Sequence, residues 1–152
     1  ERQMLYVIEN HRAVWQARCS TAAAGIGAEA NSMKTPLGWH RVVQKLGSSA
    51  PWGQVFRSRR TTNEIWQPGD NVVEDLVLTR MMVLDGEEPG KNKGRNAAGV
   101  SVDSQERCIY IHGTNAEAHI GTPASHGCIR LLNDDVITAF ERITDGAPVL
   151  IS

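Results

Sequence analysis

A chain of 152 residues with 41% apolar side chains is long enough for one domain with its own core and short of what two require. Sixteen Lys and Arg against seventeen Asp and Glu leave a formal net charge of -1, which excludes the global field that draws nucleic acid or anionic lipid. No apolar run approaches the roughly 20 residues of a membrane helix, so partners must be argued from local chemistry.

The chain opens on two alternating runs, "MLYVIE" (4–9) and "AVWQARCS" (13–20), which predict a β-hairpin about Asn10 and His11. Cys19 shares a strand face with Ala13, Trp15 and Ala17 and reads as a small buried hydrophobe. "TAAAGIGAEANSMKTPLG" (21–38) carries little pattern and ends on Pro36 and Gly38; "WHRVVQKL" (39–46) is the next strand. The segment 48–70 is rich in turn residues. "VEDLVLTRMMVL" (73–84) is apolar enough for a strand buried on both faces. Arg80 interrupts it and needs an acceptor, either a structural ion pair or a substrate contact. Residues 85–107, polar, aperiodic and with four glycines, predict a long loop, a candidate lid. "CIYIHGT" (108–114) is a strand that ends at His112 and breaks at Gly113, with Cys108 read as buried like Cys19. Near the end, Asn133 is a natural N-cap, Asp134 and Asp135 suit the helix dipole, and Val136, Ile137, Phe140 and Ile143 fall at helical spacing. Gly146 stops that helix and "APVLIS" returns as a strand. Many strands, one late helix and a closing strand predict a mainly β or α+β domain.

The chemistry concentrates between Tyr110 and Arg130, where His112, His119 and His126 accompany Cys128. Thiolate and imidazole are zinc ligands, although only one residue separates His126 from Cys128 and no paired knuckle is present. Alternatively, Cys128 is a nucleophile that needs a neighbouring imidazole to be deprotonated. Gly127 would then allow a sharp turn that aims the N–H groups of Gly127 and Cys128 at a developing oxyanion. An ordinary turn with hydrogen-bonded histidines is the third possibility. Three scattered cysteines, Cys19, Cys108 and Cys128, do not form a disulfide framework.

Taken together, His112, then Ser125, His126, Gly127, Cys128, Ile129 and Arg130 resemble the motif of the L,D-transpeptidase (YkuD-like) catalytic domain family. "TPLGWHRV" (35–42) looks like the family's TP-x-G strand, and "IYIHGT", "IGTPASHGCIRL" and the closing helix and strand occur in family order. The resemblance implies a single β-sandwich catalytic domain over 1–152, with 85–107 as lid and a C-terminal helix followed by a strand. It implies Cys128 as nucleophile, His112 as general base and the Gly113 carbonyl as its orienting group. Gly127, His126 and Ser125 would support the oxyanion turn, and Arg130, Arg80 and Tyr110 would meet substrate. Arg130 has two readings, an ion pair that holds a loop or a contact to a substrate carboxylate.

By the same resemblance the substrates are peptidoglycan stem peptides or muropeptides, and carbapenem-type β-lactams acylate the cysteine. No metal or other cofactor, no nucleic acid and no membrane span is expected. Cys128 would cleave the L,D bond before the terminal D-Ala of a tetrapeptide stem and pass the acyl group to an amine, forming a 3-3 cross-link. Transfer to water instead would make the domain an L,D-carboxypeptidase of muropeptide recycling, and a non-catalytic muropeptide-binding domain is the more distant alternative. The cell envelope or periplasm suits the first, the cytoplasm the second. The chain begins at Glu1 without an initiator Met, which leaves a removed export signal open.

Overall fold

The computed structural model describes residues 2–152. The anticipated hairpin is present: β1 (Met4–Glu9) pairs antiparallel with β2 (Arg12–Arg18). Asn10 and His11, with φ of 49° and 63°, form its two-residue turn, and this backbone suits the twist of the strands. After β3 (Gly38–Leu46) comes a second hairpin of β4 (Gln54–Arg57) and β5 (Arg60–Ile65), turning on Ser58 and Arg59 at φ of 48° and 59°. Neither residue type signals positive φ, so composition had marked 48–70 only as turn-rich.

β6 (Val77–Gly86) is the centre of the main sheet. It pairs antiparallel with β3, with β4 and with β7 (Tyr110–Gly113). β8 (Ile129–Leu131), which sequence pattern missed because three residues carry no period, adds in parallel to β7. α1 (Asn133–Arg142) and β9 (Pro148–Ile151) follow, and β9 pairs with β3. The result is an open seven-stranded sheet and a separate β1–β2 sheet, a mostly β fold of the sandwich kind.

Alternation along β6 explains its apolar run. Met82 and Leu84 join Ile111, Ile129 and Leu131 in the main core, which the inner faces of β2 and α1 cover through Ala17, Val136 and Phe140. Met81 and Val83 point the other way, onto Phe56 and Tyr110. With both faces covered, each fully buried aliphatic side chain contributes about 1.5–3 kcal/mol.

Two expectations need correction, those for Asn133 and Cys108. Asn133 does not cap α1: Leu132 occupies the cap position without a side-chain bond, and Asn133 is the first helical residue, fully buried. The Asn133 N–H is met instead by Glu117 Oε1 at 2.7 Å. Cys19 is buried as anticipated, but Cys108 is exposed, in a turn at φ 59° ahead of β7. The bulky aromatic and β-branched neighbours made it look like strand; the chain instead turns there and turns the thiol outward. The polar segment 85–107 is tied down by side chains. Asn92, fully buried, donates to the Leu37 and Trp39 carbonyls at 3.0 Å each, and Ser104 bonds His40 Nε2 at 2.9 Å. Lys93 meets Asp85 at 2.6 Å.

Candidate active site

Strand parity assembles the site. β7 and β8 run parallel with Ile111 opposite Ile129, His112 opposite Arg130 and Gly113 opposite Leu131. Ile111, Ile129 and Leu131 face the main core, so Tyr110 and His112 share the other face with Cys128 and Arg130. Cys128 therefore stands diagonal to His112, at the entrance to β8. Its Sγ accepts from the Tyr110 N–H at 3.4 Å and donates to the Cys108 carbonyl at 3.2 Å. His112 is 2% exposed and donates Nδ1–H to the Gly113 carbonyl at 2.6 Å, which leaves the lone pair on Nε2.

The turn that carries the thiol is fastened from both sides. Gly127 adopts φ 132°, which a side chain would resist, and a Cβ there would press on Ile109 Cδ1 and the Lys34 carbonyl at 3.3 Å. Ser125 Oγ donates to the Cys128 carbonyl at 2.6 Å and accepts from the Gly127 N–H at 3.1 Å. That Gly127 hydrogen is committed within the turn and does not point at an oxyanion. Thr35, of the TPLG stretch, donates its hydroxyl to the Gly127 carbonyl at 2.9 Å and accepts from the Ala22 N–H at 2.9 Å. Arg107 braces the same region through the Lys34 carbonyl at 2.7 Å.

Arg130 is 4% exposed and pairs through Nη2 with Asp75 Oδ2, while His126 Nδ1, on a largely exposed ring, stands 3.4 Å from the same oxygen. Of its two anticipated roles, the ion pair is the one formed: Asp75 lies in the segment leading into β6, and Arg130 ties it to β8. Among the described residues the Arg130 Nε has no hydrogen-bond partner. Asp75, Arg130 and His126 line, with Glu74 and Asn115, a groove of about 300 Å³.

Burial dominates the electrostatics. It pushes His112 down to about 4, against the pull of the Gly113 carbonyl and the Asp75 charge. It pushes the Cys128 thiol up to about 12, opposed by the Tyr110 N–H and Arg130 and reinforced by Asp75. The resting pair is a neutral thiol beside a neutral imidazole. The preformed thiolate that the cysteine–histidine spacing suggested is not the resting state, because burial disfavours either charge there.

A family model for the L,D-transpeptidase catalytic domain (YkuD) matches residues 1–151. The chain belongs to this family. The L,D-transpeptidase domain is 51% identical over 100 residues to the probable L,D-transpeptidase YcfS of Escherichia coli (strain K12), a match covering 62% of this chain and 29% of YcfS. In solved structures it resembles the L,D-transpeptidase of Enterococcus faecium at TM-score 0.56 and 14% identity, over 99% of this chain and 46% of that one. It also resembles an L,D-transpeptidase solved in complex with imipenem, at TM-score 0.53 and 16% identity, over 99% and 54% of the two chains. At such identities the structural likeness shows the fold. The chain spans less than half the length of the curated relatives it matches.

Within this L,D-transpeptidase domain the other anticipated residues divide. Tyr110 is at the thiol, its hydroxyl accepting from Arg59 Nε at 3.1 Å. Arg80 donates to the Ala50 and Thr79 carbonyls at 2.8 and 2.6 Å and lies over the Phe140 ring, so carbonyls satisfy it and no described contact joins it to Cys128. His119 sits in the 3-10 turn Glu117–His119, outside the strand that carries His112. Among the described residues no three His, Cys, Asp or Glu side chains come together as a metal site, so the zinc reading has no ligand set. Among the described residues no helix is long and apolar enough to cross a membrane. Asp75, Thr35, Arg107 and Thr79 escaped sequence reasoning. Only Thr35 had a signal, its place in the TPLG stretch.

Proposed function

We propose that this domain is a cysteine acyltransferase that opens the L,D peptide bond before the terminal D-Ala of a peptidoglycan tetrapeptide stem and transfers the acyl group to the amine of a second stem. The observation that carries the reading is a half-buried thiol diagonal to a buried imidazole whose Nδ1 is fixed on the Gly113 carbonyl, with Nε2 left as the base.

In this mechanism Nε2 of His112 takes the thiol proton as Sγ attacks the carbonyl of the third stem residue. Because the resting thiol is neutral, proton removal and attack are coupled, and the water-poor site strengthens each charge interaction as it forms. The Cys128 N–H stabilises the oxyanion, in place of the committed Gly127 N–H. The imidazolium then gives its proton to the nitrogen of D-Ala, which leaves as the free amine, and a thioester remains. An acceptor amine attacks the thioester, its surplus proton passes to Nε2, and the sulfur departs and is reprotonated from there. Tyr110 holds the sulfur in place and the Asp75–Arg130 pair walls the groove beside it, where stem peptide would lie. Carbapenem-type β-lactams, by the same chemistry, leave an acyl group on Cys128; the imipenem complex of a structural relative supports this.

Incubation with disaccharide-tetrapeptide, with and without an amine-bearing acceptor stem, followed by mass spectrometry, tests the reading. The expected result is loss of D-Ala with a 3-3 linked dimer as product, both abolished by Cys128→Ala. Tripeptide alone at saturating acceptor would make water the acceptor and the domain an L,D-carboxypeptidase. Folded protein that neither releases D-Ala nor carries an acyl adduct would sink both versions.

A further inference from the structure

We propose that Asn133 is a positioning residue for acyl transfer: together with Thr79 it fixes the Gly113–Thr114 segment, so that the Gly113 carbonyl holds His112 in the tautomer with its lone pair on Nε2. This rests on His112 being the base.

The imidazole is only as well oriented as the carbonyl it leans on. Gly113 has no side chain to restrict its peptide, and the restriction comes from outside. Asn133 Oδ1 lies so close to the Gly113 Cα that an added Cβ would meet it at 2.4 Å. The carboxamide itself has one available orientation, since every polar atom is used in a fully buried setting. Nδ2 donates to the Thr114 carbonyl and to Glu117 Oε1, both at 2.8 Å, and Oδ1 accepts from the Thr79 hydroxyl at 2.6 Å. Thr79 Oγ1 in turn accepts from the Gly53 N–H at 3.0 Å.

Two local departures from the expected backbone build this arrangement. Thr79 has φ 69°, a conformation disfavoured for a β-branched residue, and it lies within the register shift between Leu78 and Met81 where β6 faces β7. The irregularity brings a hydroxyl to Asn133 that a regular strand would aim along the pleat. Asn at a helix start ordinarily spends its side chain on capping. Here Glu117 meets the Asn133 N–H, and the Asn133 carboxamide is released to hold the peptide beyond His112. Both departures converge on the one segment whose carbonyl orients the imidazole.

The test is imidazole ¹⁵N NMR of the full domain at neutral pH, with kcat and KM for D-Ala release, in wild type, Asn133→Ala, Thr79→Val and Thr79→Ser. The wild type and Thr79→Ser should show His112 as the single tautomer protonated at Nδ1. Thr79→Val and Asn133→Ala should show averaging between tautomers, with kcat reduced roughly 10- to 100-fold and KM changed less than about twofold. The nitrogen spectrum needs no substrate, so it judges the positioning even if tetrapeptide proves not to be the substrate. If Asn133→Ala fails to fold, the Thr79 pair decides, because Val keeps the shape and removes only the hydroxyl. A folded Thr79→Val that keeps the wild-type tautomer and kcat overturns the proposal, as does a Thr79→Ser that loses as much as Thr79→Val.

Discussion

A thiol held by two backbone groups and a buried imidazole held by one carbonyl are both uncharged near neutral pH, since burial penalises either ion. As the proposed base, His112 is competent until it is protonated, which happens near 4 rather than near the ordinary value of 6.5. Acylation of Cys128 by a carbapenem, followed by intact mass against pH, should be level through neutral pH and fall only on an acid limb near 4. His112→Gln should remove that limb and slow acylation by about 100-fold or more. Arg130 makes a prediction of another kind. Asp75→Asn leaves a buried guanidinium without its countercharge and should cost on the order of 3 kcal/mol in urea unfolding. The pair replaced together, Arg130→Met with Asp75→Leu, should recover most of that loss, because the desolvation cost disappears with the charges.

Among the elements, the turn 125–128 depends on Thr35, just ahead of β3 and far away in the chain. Thr35→Val removes the hydroxyl that joins the Ala22 N–H to the Gly127 carbonyl, leaving buried polar groups unpaired. A loss of about 1–3 kcal/mol is expected, with slower alkylation of Cys128 by iodoacetamide; unchanged alkylation would mean the turn holds without Thr35. The strands and the helix with a clear hydrophobic pattern were readable from the sequence: the first hairpin from its alternation, β6 from its apolar run, α1 from Val136 and Phe140. The hairpin about Ser58 and Arg59 was not, because its turn relies on positive φ in residues that rarely adopt it. Asn133 was recognised at a helix start but assigned the commoner use of its side chain. The segment 85–107 read only as a long polar loop because its fastenings are single polar side chains, Asn92 and Ser104, whose partners lie on β3 and the residue before it.

For the molecule as a whole, two buried neutral imidazoles govern acid stability. His40, fully buried between the Gly38 carbonyl and Ser104, is held below its ordinary value by burial, and so is His112. For His112, as pH falls from 6.5 toward 4 the unfolded chain binds a proton that the folded chain does not, so its contribution to stability falls through that window and is fully present above it; His40 adds to the loss in the same direction. His112 alone should remove about 3 kcal/mol by the lower end. Urea midpoints compared at neutral and mildly acid pH should show the drop, and His112→Gln should flatten it. The sequence by itself determined the class of fold, the family resemblance and the motif residues Cys128, His112 and Gly127. Those features depend on local spacing, hydrophobic period and backbone freedom, all of which are local in the chain. Only the tertiary structure decided that Arg130 pairs with Asp75, that Thr35 fastens Gly127, that Asn133 reaches Thr79, and that Cys128 and His112 rest uncharged. Those outcomes join polar residues distant in sequence, and burial, which sets their charge and their need for a partner, exists only once the sheets and the helix have closed over them.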